Sequence, residues 1–273
     1  MHRTAKIAVN AAAYLLFFLF IAPVLWMLIL AMKPESVVAQ SLREWLFSPY
    51  TLDNFRKVLQ STNADIKLWL TNSFIVSVLS TLGVLILCAM AAFVFSRMKF
   101  AGRTFWFWLI MAGLLVPREA TLIPLYLLFR NMDLLNTYFS LIAPTLAAPF
   151  GLIILKQFFD GLPEELFEAA KIDGCGWIRT WYRIALPLCR PALASLGIFV
   201  FLAAWNDFLW PFISVTDPKI MTIPVGLPVF KSQYFSTQSL PMAASAITSI
   251  PIIIVFFIFQ KYIVKGIAFT GGK

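Results

Sequence analysis

Six long apolar stretches constrain this chain more than any other feature. They run roughly over Val9–Met32, Leu70–Phe95, Phe105–Phe129, Tyr138–Phe159, Pro191–Val215 and Met242–Val264. A bilayer core about 30 Å thick needs about 20 mostly apolar residues as helix, and each stretch reaches that length. Backbone polar groups in lipid must be satisfied internally, so such stretches are expected to be helices. Charged residues make up 13% of the chain, against about 25% in an average soluble domain. The expectation is an all-α polytopic membrane protein with six transmembrane helices in one domain, residues 1–273.

Two stretches need a closer reading. The third contains Val116-Pro117-Arg118-Glu119-Ala120. Each half alone is too short to cross, so the reading is one span kinked at the proline. The first stretch could be mistaken for a signal peptide. Its apolar run is too long for one and no small-x-small site follows, so it reads as a retained helix.

Orientation follows from lysine and arginine. With the N-terminus in the cytoplasm, the inside segments hold thirteen basic residues. They are Arg3, Lys6, Arg97, Lys99, Arg103, Lys156, Lys171, Arg179, Arg183, Arg190, Lys261, Lys265 and Lys273. The outside segments hold eight: Lys33, Arg43, Arg56, Lys57, Lys67, Arg130, Lys219 and Lys231. Both termini and the segment 160–190 are therefore expected inside. Lys33–Trp69 and Asp217–Pro241 are the longest outside segments.

Several functions are excluded early. The net charge is +9, but the basic residues lie between apolar runs and form no stripe for nucleic acid. Cys88, Cys175 and Cys189 have no metal or disulfide spacing, and His2 is the sole histidine. Histidine catalysis and His-ligated metals are thus nearly excluded. No GxxxxGK[ST] loop is present to cradle nucleotide phosphates, and no nucleophile motif suggests an intramembrane hydrolase. No metal or cofactor is expected on this chain.

Between two apolar stretches lies Glu168-Ala-Ala-Lys-Ile-Asp-Gly-Cys-Gly-Trp-Ile-Arg-Thr-Trp-Tyr-Arg-Ile-Ala-Leu-Pro-Leu188. It reads as two short helices. Pro163 suits a first helical position, Glu164 and Glu165 its positive first turn, and Gly174 the position past its end. A second helix over about Trp177–Ala185 sets Trp177 beside Trp181 and Arg179 beside Arg183, and Leu186-Pro187 ends it. The small Ala169-Ala170 pair would admit another backbone closely. Two readings stand open on these residues: an amphipathic loop lying on the membrane interface, or a docking surface.

Glu168-Ala169-Ala170, then Gly174, then Ile184-Ala185-Leu186-Pro187, resembles the EAA loop of ABC-importer permeases at every spaced position. Leu115–Phe129, Ala204–Phe212 ("AWNDFLWPF"), Gln260–Gly272 and Ala22–Pro34 resemble the smaller six-span permease of the maltose/glycerol-3-phosphate, carbohydrate-uptake type. The resemblance implies the type I ABC-importer permease fold in a bacterial plasma (inner) membrane. It implies that the EAA loop is a coupling helix docking on an ATPase subunit. Glu168, Ala169, Ala170, Asp173, Gly174, Arg179, Arg183, Leu186 and Pro187 would carry that contact. A sister permease, an ATPase dimer that holds ATP and Mg, and an extracytoplasmic solute-binding protein would be the partners, beside membrane lipid. The outside segments, with Arg43, Arg56, Lys57 and Lys219, are expected to meet the binding protein.

Ionisable groups within a span are functional candidates by default. Arg118 and Glu119 beside Pro117 form one polar island, with a structural ion pair or a place on the solute path both open. Asn206 and Asp207, flanked by Trp205 and Trp210, form a second. Aromatic faces beside an amide and a carboxylate suit a sugar; an interfacial aromatic belt with interhelical hydrogen bonds suits them equally. The rival from another class is a self-sufficient secondary transporter, which would show inverted repeats and broken helices. Only the Val116–Ala120 break fits it.

Overall fold

A computed structural model of the chain describes residues 2–34, 47, 49–62, 64–233 and 238–270. Among them there are helices and no strand. Arg43, Lys273 and the last two residues of the tail motif, 271–272, lie outside the described residues. The helices are α1 (His2–Ala31), α2 (Asp53–Gln60), α3 (Ile66–Arg97), α4 (Arg103–Ala112), α5 (Arg118–Asn131), α6 (Tyr138–Leu146) and α7 (Pro149–Asp160). They continue with α8 (Glu165–Ile172), α9 (Trp177–Leu188), α10 (Arg190–Trp205), α11 (Leu209–Ser214), α12 (Ile223–Gly226), α13 (Pro228–Gln233) and α14 (Ser239–Thr270).

Three of these are long and apolar enough to cross a membrane unaided: Val9–Ala31 of α1, all of α3, and Ser239–Gln260 of α14. Three further pairs reach that length only when a bent pair is taken together, giving up to six spans. The third apolar stretch, expected as one span kinked at the proline, is sharply bent there. α4 with its 3-10 turn (Gly113–Leu115) and α5 meet at 100°. Val116 is extended, as a residue before proline prefers, and Pro117 supplies no N–H to continue the ladder. The fourth stretch bends by 47° between α6 and α7. The fifth, expected to run to Val215, stops at Trp205 and resumes at Leu209, with Asn206 and Asp207 in the gap.

The chain divides into two compact units, and the three boundaries fall within helices, α3, α12 and α14. The first unit comprises Met1–Leu70 and Gly226–Pro251. In it the Asn54 amide donates to Ala31 O at 2.8 Å and Lys33 O at 2.7 Å, satisfying carbonyls that the end of α1 leaves free. Gly226 is required by space, since a Cβ there would lie 2.3 Å from the Trp69 ring. The second unit comprises Thr71–Val225 and Ile252–Lys273. Its core joins Val84, Cys88, Ala92 and Phe93 of α3 to Leu152, Leu155 and Phe159 of α7, with Ala185, Cys189 and Leu196.

Two asparagines fasten the segment after α11 within that unit. Asn72 donates to Lys219 O and Met221 O, both at 2.9 Å, and accepts from the Tyr138 hydroxyl at 2.7 Å. Asn136, left-handed at φ 56°, accepts from the backbone N–H of Thr216 at 2.6 Å and of Asp217 at 2.9 Å. Asparagine is among the few residues other than glycine that visit this conformation readily.

Candidate functional site

The segment 160–190 is built as two helices set at an angle by one residue. α8 begins later than expected: Pro163 precedes it, Glu164 is its N-cap, and Glu165 and Glu168 occupy the first turn. Carboxylates there face the positive end of the helix dipole. At its other end Cys175 N–H donates to Ala170 O (2.9 Å) and Gly174 N–H to Lys171 O (3.1 Å), the paired bonds of a Schellman turn. That turn needs a left-handed residue, and Gly174 has φ +73°. Its Cβ position is open, with nothing within 4 Å. Backbone conformation, not space, makes glycine necessary.

α9 departs from the expected helix that Leu186-Pro187 would stop. It runs on to Leu188 through a π-helical turn over Trp181–Ala185, where Leu186 N–H reaches Trp181 O. A proline ring clashes with the carbonyl four residues back. Widening the turn before Pro187 lets the helix pass the proline without ending. It then gives way to α10 at Cys189, with an angle of 79° between them.

One side of this element is fastened inward. Phe93 of α3 meets Phe167 and Trp177, each at 6.3 Å between ring centroids. The Trp181 indole donates to Ala89 O at 3.3 Å. Ala170, Thr180 and Ala185 are buried, while Leu186 and Pro187 are half-buried. The Ala169-Ala170 pair therefore does not form one small-residue face. Successive helical residues point about 100° apart, so Ala170 packs inward while Ala169 is exposed.

The other side is open. Leu166, Ala169 and Ile172 recur at three-residue steps and share a stripe along α8. Ile172 is 86% exposed and Ile178, on α9, 80%. Glu168, Asp173, Arg179 and Arg183 are also exposed around this apolar surface. Arg183 donates to the Tyr182 hydroxyl at 2.9 Å.

A second site lies in the interrupted helices. A cavity of about 500 Å³ is lined by residues of breaks in the third, fourth and fifth apolar stretches: Val116 in the first of these, Ala147, Ala148 and Pro149 in the next, and Asp207 after α10. Its walls are mainly apolar, with Leu122, Leu125, Phe150, Phe199 and Val200. Arg118 and Asp207 bring the two polar islands together across 89 residues of sequence, with the guanidinium 2.5 Å from a carboxylate oxygen. The Asp207 side chain is 10% exposed and that of Arg118 59%. The other candidates sit elsewhere. Glu119 is exposed and does not line the cavity. Trp205 is buried and stacks on Phe201, and Asn206 donates to Leu202 O at the end of α10. Trp210 does line the cavity, its indole donating to Ser140 O at 2.7 Å. Among the described residues no cluster of His, Cys, Asp or Glu could hold a metal ion.

Residues 83–269 match the family described as "Binding-protein-dependent transport system inner membrane component". The chain is 32% identical over 259 residues to the arabinooligosaccharides transport system permease protein AraQ of Halalkalibacterium halodurans, covering 94% of this chain and 92% of that one. It is 33% identical to the trehalose/maltose transport system permease protein MalG of Thermococcus litoralis, over 98% of this chain and 96% of the other. It is 30% identical to the sn-glycerol-3-phosphate transport system permease protein UgpE of Yersinia pestis, over 91% of each. In fold it is similar to a chain of a bacterial ABC transporter that imports the acidic polysaccharide alginate. That likeness has TM-score 0.82 and 20% identity, over 95% of this chain and 96% of the other.

Proposed function

Since the chain belongs to the family of binding-protein-dependent transport system inner membrane components, we propose that it forms half of the membrane pathway of a carbohydrate importer and takes its drive through 160–190. It is a permease subunit of an ABC importer and not an enzyme. Family membership sets aside the self-sufficient secondary transporter. The sister permease supplies the other half, two ATPase subunits hold ATP and Mg, and an extracytoplasmic binding protein delivers the solute. Both termini and the segment 160–190 face the cytoplasm of a bacterial cell.

The observation that carries this reading is the outward stripe of α8 and α9. Ile172 and Ile178 are the most exposed large apolar side chains of the segment, on an element whose other side is packed on α3. Exposed apolar surface ringed by charge marks an interaction site. The cavity beside Arg118 and Asp207 is the stretch of pathway this chain contributes. Arabinooligosaccharides, trehalose/maltose and glycerol phosphate are the cargoes named for its relatives, and the solute of this chain is a carbohydrate or a glycerol-phosphate-like compound.

Ala169→Asp tests the docking. It sets a charge in the middle of the open stripe, on the exposed side of α8 and outside the spans, so insertion and expression survive. Desolvating an unpaired carboxylate at a contact costs up to a few kcal/mol. Pull-down of the ATPase and solute uptake should both fall. A helix that only lies on the membrane interface would leave both intact, and that result would reject the docking.

A further inference from the structure

Arg97, which enters the sequence reading only as one of the cytoplasmic cations, closes α3 with a three-way contact. Its guanidinium donates to Phe159 O and to Leu162 O, the latter at 2.7 Å. Both carbonyls belong to the end of α7 and the turn leaving it. Free carbonyls and the negative end of the dipole make a helix C-terminus a natural seat for a cation. The same guanidinium lies 4.2 Å above the ring of Phe167, in α8. One planar group thus holds the last turn of α3, the end of α7 and the first turns of the docking element.

The contacts around it extend the junction on both sides. Ser96 donates to one Asp160 oxygen at 2.7 Å and Lys156 to the other at 2.6 Å, a second tie between α3 and α7. Phe93, one turn up α3, meets Phe159 at 6.0 Å, and also Phe167 and Trp177. Trp181 reaches Ala89 O another turn up. From Ala89 to Arg97 each turn of α3 meets at least one of α7, α8 and α9.

We propose that Arg97 is the positioning residue that locks the docking element to α3, so that 165–185 and the Ala89–Arg97 end of α3 move as one body. Resting on the docking reading above, this deepens it by naming where the ATPase's displacement enters the membrane. It enters along α3, and the pivots lie outside this cluster. A fork of donors with a flat apolar face suits the seat; a lysine supplies a point charge without the fork or the ring contact.

Two measurements on the assembled complex in proteoliposomes test this. Arg97→Ala and Arg97→Gln should keep the ATPase subunit bound and hydrolysing. Stimulation by the solute-loaded binding protein and solute uptake should fall by roughly tenfold, the scale of a typical coupling between sites. Arg97→Lys should recover part of both. Ala169→Asp is run alongside: if it retains the ATPase and uptake, the docking reading has failed, whatever Arg97 does. Normal stimulation in Arg97→Ala with Ala169→Asp defective would overturn the lock alone.

The second measurement does not depend on how well Arg97→Ala folds. Phe93→Cys and Trp177→Cys, in a Cys175→Ser background, are bridged with a short bis-methanethiosulfonate, which joins the two sulfurs through reducible disulfides. One-body movement predicts uptake after bridging within about twofold of the unbridged double variant, well inside the coupling range. Uptake abolished by bridging and restored by reductant would show that the loop pivots against α3, and the proposal would fall.

Discussion

Arg118 and Asp207 show what a residue can do that its neighbours in sequence do not announce. Each is legible alone as an ionisable group in an apolar run, but their pairing is not, because a single sequence carries no distance between positions 118 and 207. Leaving one partner of a partly buried pair alone is costly where removing both is less so. Arg118→Gln and Asp207→Asn should each lower uptake, Arg118→Gln more, since it leaves the nearly buried Asp207 carboxylate unpaired, whereas a lone Arg118 is solvated. The double variant should recover part of the loss. Their coupling is expected at about 0.5–3 kcal/mol, towards the lower end because the Arg118 side chain is more than half exposed. Additive defects measured by initial uptake rates would argue that the pair is not a functional unit. Arg97 and Asn72 were missed for the same reason: a basic residue ending a span reads as a topology marker, and one asparagine in an apolar run as a tolerated polar group.

At the level of elements, the apolar runs were legible as runs and not as straight rods. Pro117 announces a break, but its 100° angle depends on what α4 and α5 pack against, which the run does not encode. Leu186-Pro187 reads as a stop, whereas the π turn carries α9 past it. Gly174 is the opposite case, because its place after α8 predicts the left-handed turn that is found. Since only φ and not space demands glycine there, substitutions should rank by their tolerance of that conformation. Gly174→Asn should leave uptake near normal. Gly174→Val should cost on the order of 1–3 kcal/mol locally and tilt α9 away from its place, lowering ATPase retention. Equal behaviour of Asn and Val would remove the turn from the account.

For the whole molecule, fold class and family were the most legible, since long apolar runs admit few alternatives in lipid. Orientation rests on the charge count alone and is tested by labelling. Single cysteines at Lys99 and Arg179 should resist a membrane-impermeant reagent applied outside intact cells, while those at Arg56 and Lys219 should react. The native thiols barely interfere. Cys88 is buried, and burial also pushes the Cys189 thiol up to about 12, which suppresses its reactive thiolate. Cys175 is partly exposed and, lying in the docking loop, should itself label only from the inside. Labelling at position 179 from outside would invert the topology.

The central claim is that the open stripe of α8 and α9 faces an ATPase subunit. A photoreactive amino acid placed at Ile172 or Ile178, irradiated in cells that express the whole importer, tests it most directly. Both positions should capture the ATPase subunit, and a probe at Ile123, an exposed residue of α5, should not. Capture of lipid alone at Ile172 and Ile178, with uptake intact, would contradict the account.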